Sequence, residues 1–260
     1  MDGLNTLAGF GVGAIVGMTG VGGGALMTPI LVLLFGVAPA AAVGTDLWFA
    51  ALTKMVGGTV HQHHGGVDWQ VFRRLAMGSL PAAGVTLWWL HATGASQIRS
   101  GFLLHALGAV LLLTAVAMLF RQRIHAFGRS LRGETPDRFK RAQPALTVLA
   151  GATLGLLVTL TSVGAGALGT VMLLYLYPLR MTPARLVGTD IVHAIPLTLL
   201  AGAGHLAMGN VDFRLLGFLL LGSVPGVLVG SLVGTKVPQV LLRGAISTVL
   251  VAVASKLLLS

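Results

Sequence analysis

Shifted by 144 residues, the chain matches itself without a gap: PAAAVGTDLWFA at 39–50 meets PARLVGTDIVHA at 183–194. GGVDW at 65–69 meets GNVDF at 209–213, GSLP at 78–81 meets GSVP at 222–225, and His61 falls on His205. The glycine cluster GMTGVGGGALMTP at 17–29 has its counterpart in TLTSVGAGALGT at 159–170, with Gly20 and Gly22 on Gly164 and Gly166. A duplication held over so long a span predicts two similar units folding against each other. In transporters, such repeats commonly place a substrate site where they meet.

The solvent of these units is lipid. Hydrophobic residues make up 55% of the 260, charged residues only 9%, and mean hydropathy is +0.90. Soluble domains carry about 25% charged residues. Apolar runs recur along the whole chain, several approaching the ~20 residues that span a bilayer. They lack the alternation of a β-barrel, and helices satisfy their own backbone in lipid. The expected fold is therefore all-α, a polytopic helical membrane protein. The first segment has Asp2 where a signal peptide would be basic, so it reads as part of the fold. With no cysteine in the sequence, disulfides and thiolate metal sites are excluded.

Each half offers five apolar pieces: 4–18, 25–35, 40–60, 70–90 and 99–120, then 145–160, 165–177, 184–204, 214–234 and 240–258. The first pair in each half is short and broken at a glycine-rich turn. If that pair folds as a hairpin, the halves are inverted repeats; if it is one broken helix, they are parallel. Seven of seventeen Lys and Arg lie in the polar stretch 121–143, which reads as a basic cytoplasmic loop and linker rather than a nucleic-acid surface. With that loop inside, inversion keeps Arg73, Arg74, Arg180, Arg185, Lys236 and Arg243 inside as well, and places both termini outside. The predicted organisation is a first repeat at 1–120, a linker at 121–143 and a second repeat at 144–260.

Glycine in a helix costs about 1 kcal/mol relative to alanine, so the clusters mark deliberate breaks. A break inside the bilayer presents helix N-termini and backbone donors, which attract anions. The candidate substrate-binding residues are Gly22, Gly23, Gly24, Thr45, Lys54, Ser162, Gly164, Gly166 and Thr189. Asp46 and Asp190 follow Gly-Thr at matching depth, where an ionisable group is costly and usually functional. They are expected either to anchor the broken helices or to carry protons. Lys54 has Thr198 as its counterpart and is expected to pair with Asp46 or to meet an anionic cargo. Asp68 and Asp212 each open a helix and read as N-caps, with Trp69 and Phe213 in the interfacial belt. Pro81 and Pro225 predict a kink at matching points.

The cluster HQHHGG at 61–66 invites a metal reading, but only His61 recurs, as His205, and no carboxylate pair completes a ligand set. His61 and His205 are kept as candidate proton carriers; no metal and no cofactor is expected. Ser162 lacks the preceding glycine of a nucleophile elbow, and there is no phosphate-binding Walker loop. Enzyme chemistry is not indicated.

The stretches GVGGGALMTPILVLLFGVAPAAAVGTDL, GGTVHQHHGGVDW, VGTD and GNVDF resemble the sulfite exporter TauE/SafE family of bacterial membrane transporters. Gly22, Gly23, Gly24, Pro29, Gly44 and Thr45 match its first-half pattern, and Gly188 and Thr189 its second. The resemblance implies a multi-pass protein of the bacterial inner membrane that exports sulfite, an organosulfonate or another small organic anion. The implied mechanism is alternating access. The alternatives are an anion channel and, from another class, an intramembrane enzyme or metal-binding protein. The expected partners are the cargo anion and the bilayer, without nucleic acid; a monomer and a homodimer both fit.

Overall fold

The computed structural model describes residues 2–19, 24–62, 66–93, 100–134, 136–234 and 238–259. They form α1 Asp2–Thr19, α2 Gly24–Leu33, α3 Pro39–Gln62, α4 Trp69–Ala92, α5 Ser100–Leu119 and α6 Arg121–Glu134. The second half adds α7 Pro136–Thr161, α8 Ala167–Leu176, α9 Pro183–Ala207, α10 Phe213–Gly234 and α11 Gln239–Leu259. Among the described residues there is no strand, so the all-helical expectation holds. Gly101–Leu119, Phe139–Thr161, Pro183–Ala207 and Phe213–Gly234 are each long and apolar enough to cross a membrane.

Local sequence explains the boundaries. Asp68 caps α4 by accepting from Val71 N at 3.2 Å, and Asp212 does the same for Leu215 N at 2.9 Å. Thr182 caps α9 through Arg185 N, with Pro183 at the first helical position, where its missing donor is no loss. Trp69 and Phe213, just inside α4 and α10, are both exposed, as belt residues would be. Pro81 and Pro225 lie inside α4 and α10, which continue through them.

One sequence expectation is corrected. Residues 121–134 are not a loop but the helix α6. Arginine, glutamine and leucine are good helix formers, and Ile124, Gly128 and Leu131 turn inward at helical spacing while Arg123 and Arg129 stay exposed. Gly128 lets α6 press on α8: a methyl there would stand 2.5 Å from Tyr175 O. Phe127 stacks on Tyr175, with centroids 6.2 Å apart, and His125 Nε2 lies 3.1 Å from Pro178 O.

The halves interleave. α1 packs along α10 with Gly9 against Leu219, Gly13 against Ser223 and Gly17 against Val227, so the two run parallel. α7 packs along α4 in the same way, Gly151 against Leu75 and Gly155 against Ser79. Apolar side chains gain nothing by leaving lipid for each other, so close backbone contact through small residues is what holds such helices together. α3 and α9 run antiparallel at the centre: Gly44 abuts Asn210, while Trp48 Nε1 donates to Gly202 O at 3.0 Å. The contacts also correct the register of the repeat. Gly151 stands to Gly9, and Gly155 to Gly13, at an offset of 142, while their partners Leu75 and Ser79 stand to Leu219 and Ser223 at 144. The second copy therefore carries two extra residues between these regions, and Gly164 and Gly166 correspond to Gly22 and Gly24.

Candidate functional site

The glycine break of the second half lies beside the first turn of α2. α7 ends at Thr161, and the chain then turns through Ser162 at φ +59° and Gly164 at φ +121° before α8 begins. A left-handed conformation is unusual for serine and costs it about 1 kcal/mol that glycine would not incur. Such positions persist where surrounding structure enforces them. Ser162 N donates to Val158 O at 2.8 Å, and Val163 N to Thr161 Oγ1 at 3.2 Å, which fixes the turn. The α8 N-cap is Gly166, which has no side chain to satisfy the first turn.

This turn lines a small internal cavity with Ala25 of α2, Ala50 and Lys54 of α3, Ala167 of α8 and Thr198 of α9. Its volume is about 10 Å3, room for the centre of roughly one water molecule. The first turns of α2 and α8 therefore face the same space. Each N-terminus carries about half a positive charge.

An aspartate stands beside each short helix. Asp46 Oδ2 accepts from Thr28 N at 3.2 Å and Thr28 Oγ1 at 2.5 Å, tying α3 to α2. Asp190 lies against α8 at Gly169, where a methyl would stand 2.5 Å from Oδ1. Its other oxygen is 3.9 Å from Lys54 Nζ, and both side chains are almost fully buried, at 2% and 5% exposure. Lys54 thus pairs with Asp190 of the other half, not with Asp46 as one sequence reading allowed. At 3.9 Å the contact is ionic without a hydrogen bond. Lys54 Nζ, Ser162 Oγ and Asp46 Oδ1 are buried without a hydrogen-bond partner among the described residues. Buried polar groups are nearly always satisfied; Ser162 stands next to the Asp46 carboxylate, which does not line the cavity, so the group that points to a guest is Lys54 Nζ.

The remaining candidates are placed elsewhere. Thr45 Oγ1 accepts from Asp212 N at 3.0 Å, and Thr189 Oγ1 from Asp68 N, also at 3.0 Å. These reciprocal bonds clamp α3 to the start of α10 and α9 to the start of α4, and neither threonine lines the cavity. His205 Nε2 lies 2.9 Å from Thr159 O. Gly22 and Gly23 lie outside the described residues, as do the surroundings of Gly24 and the side chain of His61.

Two polar pairs, one buried and one half-exposed, are not visible in the sequence. His193 Nε2 lies 2.8 Å from Ser79 Oγ, and Asp68 forms an ion pair with Arg180. The available signal was broken symmetry: His193 stands where the first copy has Phe49, and Arg180 where it has Gly36 or Ala38, by either offset.

Comparison with known proteins places the chain among membrane transporters. The chain is 39% identical over 214 residues to "Probable membrane transporter protein YjnA" of Bacillus subtilis (strain 168), covering 80% of this chain and 81% of that protein. It is 29% identical over 207 residues to "Probable membrane transporter protein YdhB" of the same organism, covering 80% of each. No solved structure matches it. The pattern of the family described as "Sulfite exporter TauE/SafE" matches residues 5–257. The chain belongs to the TauE/SafE sulfite exporter family of membrane transporters, and it is a multi-pass helical membrane protein.

Proposed function

We propose that the protein is a secondary transporter that exports sulfite or a small organosulfonate across the bacterial inner membrane by alternating access. The observation that carries this reading is the cavity where the N-terminal turns of α2 and α8 meet beside Lys54 and Ser162. An oxyanion there would accept from Lys54 Nζ, whose one contact with Asp190 is ionic and too long for a hydrogen bond, and from Ser162 Oγ, which would turn to it from Asp46. It would also gain from both helix dipoles, which favour anions most strongly in partly buried geometry. Thr45 and Thr189 act in this account as clamps, and Asp46 and Asp190 as anchors of the short helices.

The antiparallel α3 and α9 and the reciprocal Thr45 and Thr189 bonds support an inverted arrangement of the two halves. In that arrangement α6 lies on the cytoplasmic face and the termini on the outer face, consistent with the excess of basic residues near α6. A cavity that holds roughly one water is too small for sulfite, so it must widen, and one face must open, for cargo to reach Lys54. A negative interior potential expels an anion with about 2.3 kcal/mol per charge per 100 mV, so export needs no second fuel.

The test is flux in proteoliposomes loaded with sulfite, sulfate, thiosulfate or a simple alkanesulfonate. The expected result is saturable efflux of sulfite or the sulfonate, accelerated by an interior-negative potential. Absence of flux for all of them would refute the reading, and unitary currents under voltage clamp would replace the carrier with a channel.

A further inference from the structure

The two faces of the helix bundle are closed differently. On the α6 face, the segment following α8 crosses to the start of α4. Arg180 Nε lies 2.6 Å from Asp68 Oδ2, and Arg180 Nη2 donates to Asp68 Oδ1 at 2.8 Å. Arg180 Nη1 donates to Gln70 Oε1 at 2.9 Å, and the guanidinium stands 5.8 Å over the Tyr177 ring. Tyr177 is itself fixed, its hydroxyl bonded to Thr147 Oγ1 at 2.8 Å and to Arg74 Nη1 at 3.1 Å. Asp68 is bound in turn to Thr189, the residue before Asp190 of the central pair. An unbroken set of contacts thus joins Arg180 to the cavity.

The opposite face repeats the capping aspartate and its threonine, but neither the arginine nor the tyrosine network that holds it. Asp212 makes the same two local contacts as Asp68, to Thr45 and to the first turn of its helix. Its carboxylate has no ion pair among the described residues. A pocket of about 430 Å3 opens beside it, lined by Asp2, Phe35, Val37, Asp212 and Arg214.

We infer that Arg180 is an outlying cargo site and Asp68 its tethered stand-in: an oxyanion approaching from the α6 face takes the place of the Asp68 carboxylate on the guanidinium fork, and loss of that bridge releases the segment after α8 from α4. This rests on the transport reading above. The chemistry of the exchange is direct. A guanidinium offers two parallel N–H donors to two oxygens of a planar or pyramidal oxyanion, and sulfite or a sulfonate presents the same edge as a carboxylate. Arg180 is 38% exposed and Asp68 only 5%, so the cation is the member of the pair that solute can reach. The exchange exposes the buried Asp68, and the two-step route puts cation before cavity. On the far face the exposed Arg214 pairs with Asp2 rather than with Asp212, so among the described residues no arginine there bridges to the capping aspartate.

The sequence contains no cysteine, so Thr198→Cys supplies a single reporter in the cavity wall. Its labelling by a membrane-impermeant maleimide is measured from each face of oriented proteoliposomes. Adding Arg180→Gln, which leaves the Asp68 cap of α4 intact, should speed labelling from the α6 face about five- to tenfold, as expected for loss of a half-buried bidentate pair. Labelling from the other face should not rise. Arg180→Lys keeps the charge but loses the fork, and should raise the KM for sulfite flux more than it lowers the maximal rate. Unchanged labelling in Arg180→Gln, with folding verified by thermal denaturation, would overturn the gate. An unchanged KM in Arg180→Lys would overturn the cargo exchange. If wild-type protein moves no sulfite, the transport reading fails on its own, and the labelling ratio still judges the gate.

Discussion

Replacing Lys54 with methionine separates what the buried cation does for the fold from what it does for cargo. Lys54 and Asp190 are 5% and 2% exposed and 3.9 Å apart. Removing one member of such a pair strands the other charge in a low-dielectric interior, at about 3–5 kcal/mol. The length of the contact puts the loss near the lower figure. For cargo, a hydrogen bond to a charged group contributes about 1.5–3 kcal/mol, equivalent to roughly 10- to 150-fold in affinity. Lys54→Met should therefore unfold at lower temperature and bind sulfite at least about tenfold more weakly. The double variant Lys54→Met, Asp190→Asn removes the stranded charge and should recover most of the stability but none of the affinity. Thermal denaturation in detergent and the concentration dependence of sulfite flux measure the two quantities independently. Wild-type affinity in the double variant would refute the assignment of Lys54 to cargo; a double variant as unstable as the single would refute the ion pair.

Two further changes test the geometry around the site. Ser162→Gly should stabilise the protein by about 1 kcal/mol, since φ is +59° there, yet weaken sulfite binding about three- to tenfold by removing a hydroxyl donor; Ser162→Ala should weaken binding without the gain. Gly78→Ala and Gly222→Ala should each cost about 1–3 kcal/mol by overpacking, because a methyl would stand 2.7 Å from Ala152 N and from Phe10 N respectively. Gly84→Ala and Gly217→Ala, with nothing within 4 Å, are the controls and should be neutral or stabilising.

Much of this was legible in the sequence, because membrane helices announce themselves in one dimension. The breaks at the glycine clusters, the N-caps Asp68 and Asp212 and the asymmetric Lys54 all sit in local pattern. Ser162, Gly164, Gly166 and Lys54 do line one cavity. What stayed hidden depends on partners more than a hundred residues away. Nothing near Lys54 shows that Asp190 is its neighbour rather than Asp46, which lies two turns from it on α3 and whose carboxylate is instead bonded by Thr28. Thr45 and Thr189 looked like anion donors because the backbone donors of Asp212 and Asp68 that claim them arrive from the other half. The offset of 142 in the first helices was masked by the stronger match at 144, and only the close contacts of Gly9, Gly13, Gly151 and Gly155 separate the two. The helix α6 resembles a loop in sequence because its charge outweighs its spacing.

The central claim is that an oxyanion occupies the space between the first turns of α2 and α8. Selenite carries the charge and shape of sulfite with an anomalously scattering centre, so crystals grown with it locate the anion without ambiguity. The account predicts one strong anomalous peak in contact with Lys54 Nζ and Ser162 Oγ, lost in Lys54→Met. A peak confined to the surface, or none at a concentration that competes with sulfite flux, would contradict it.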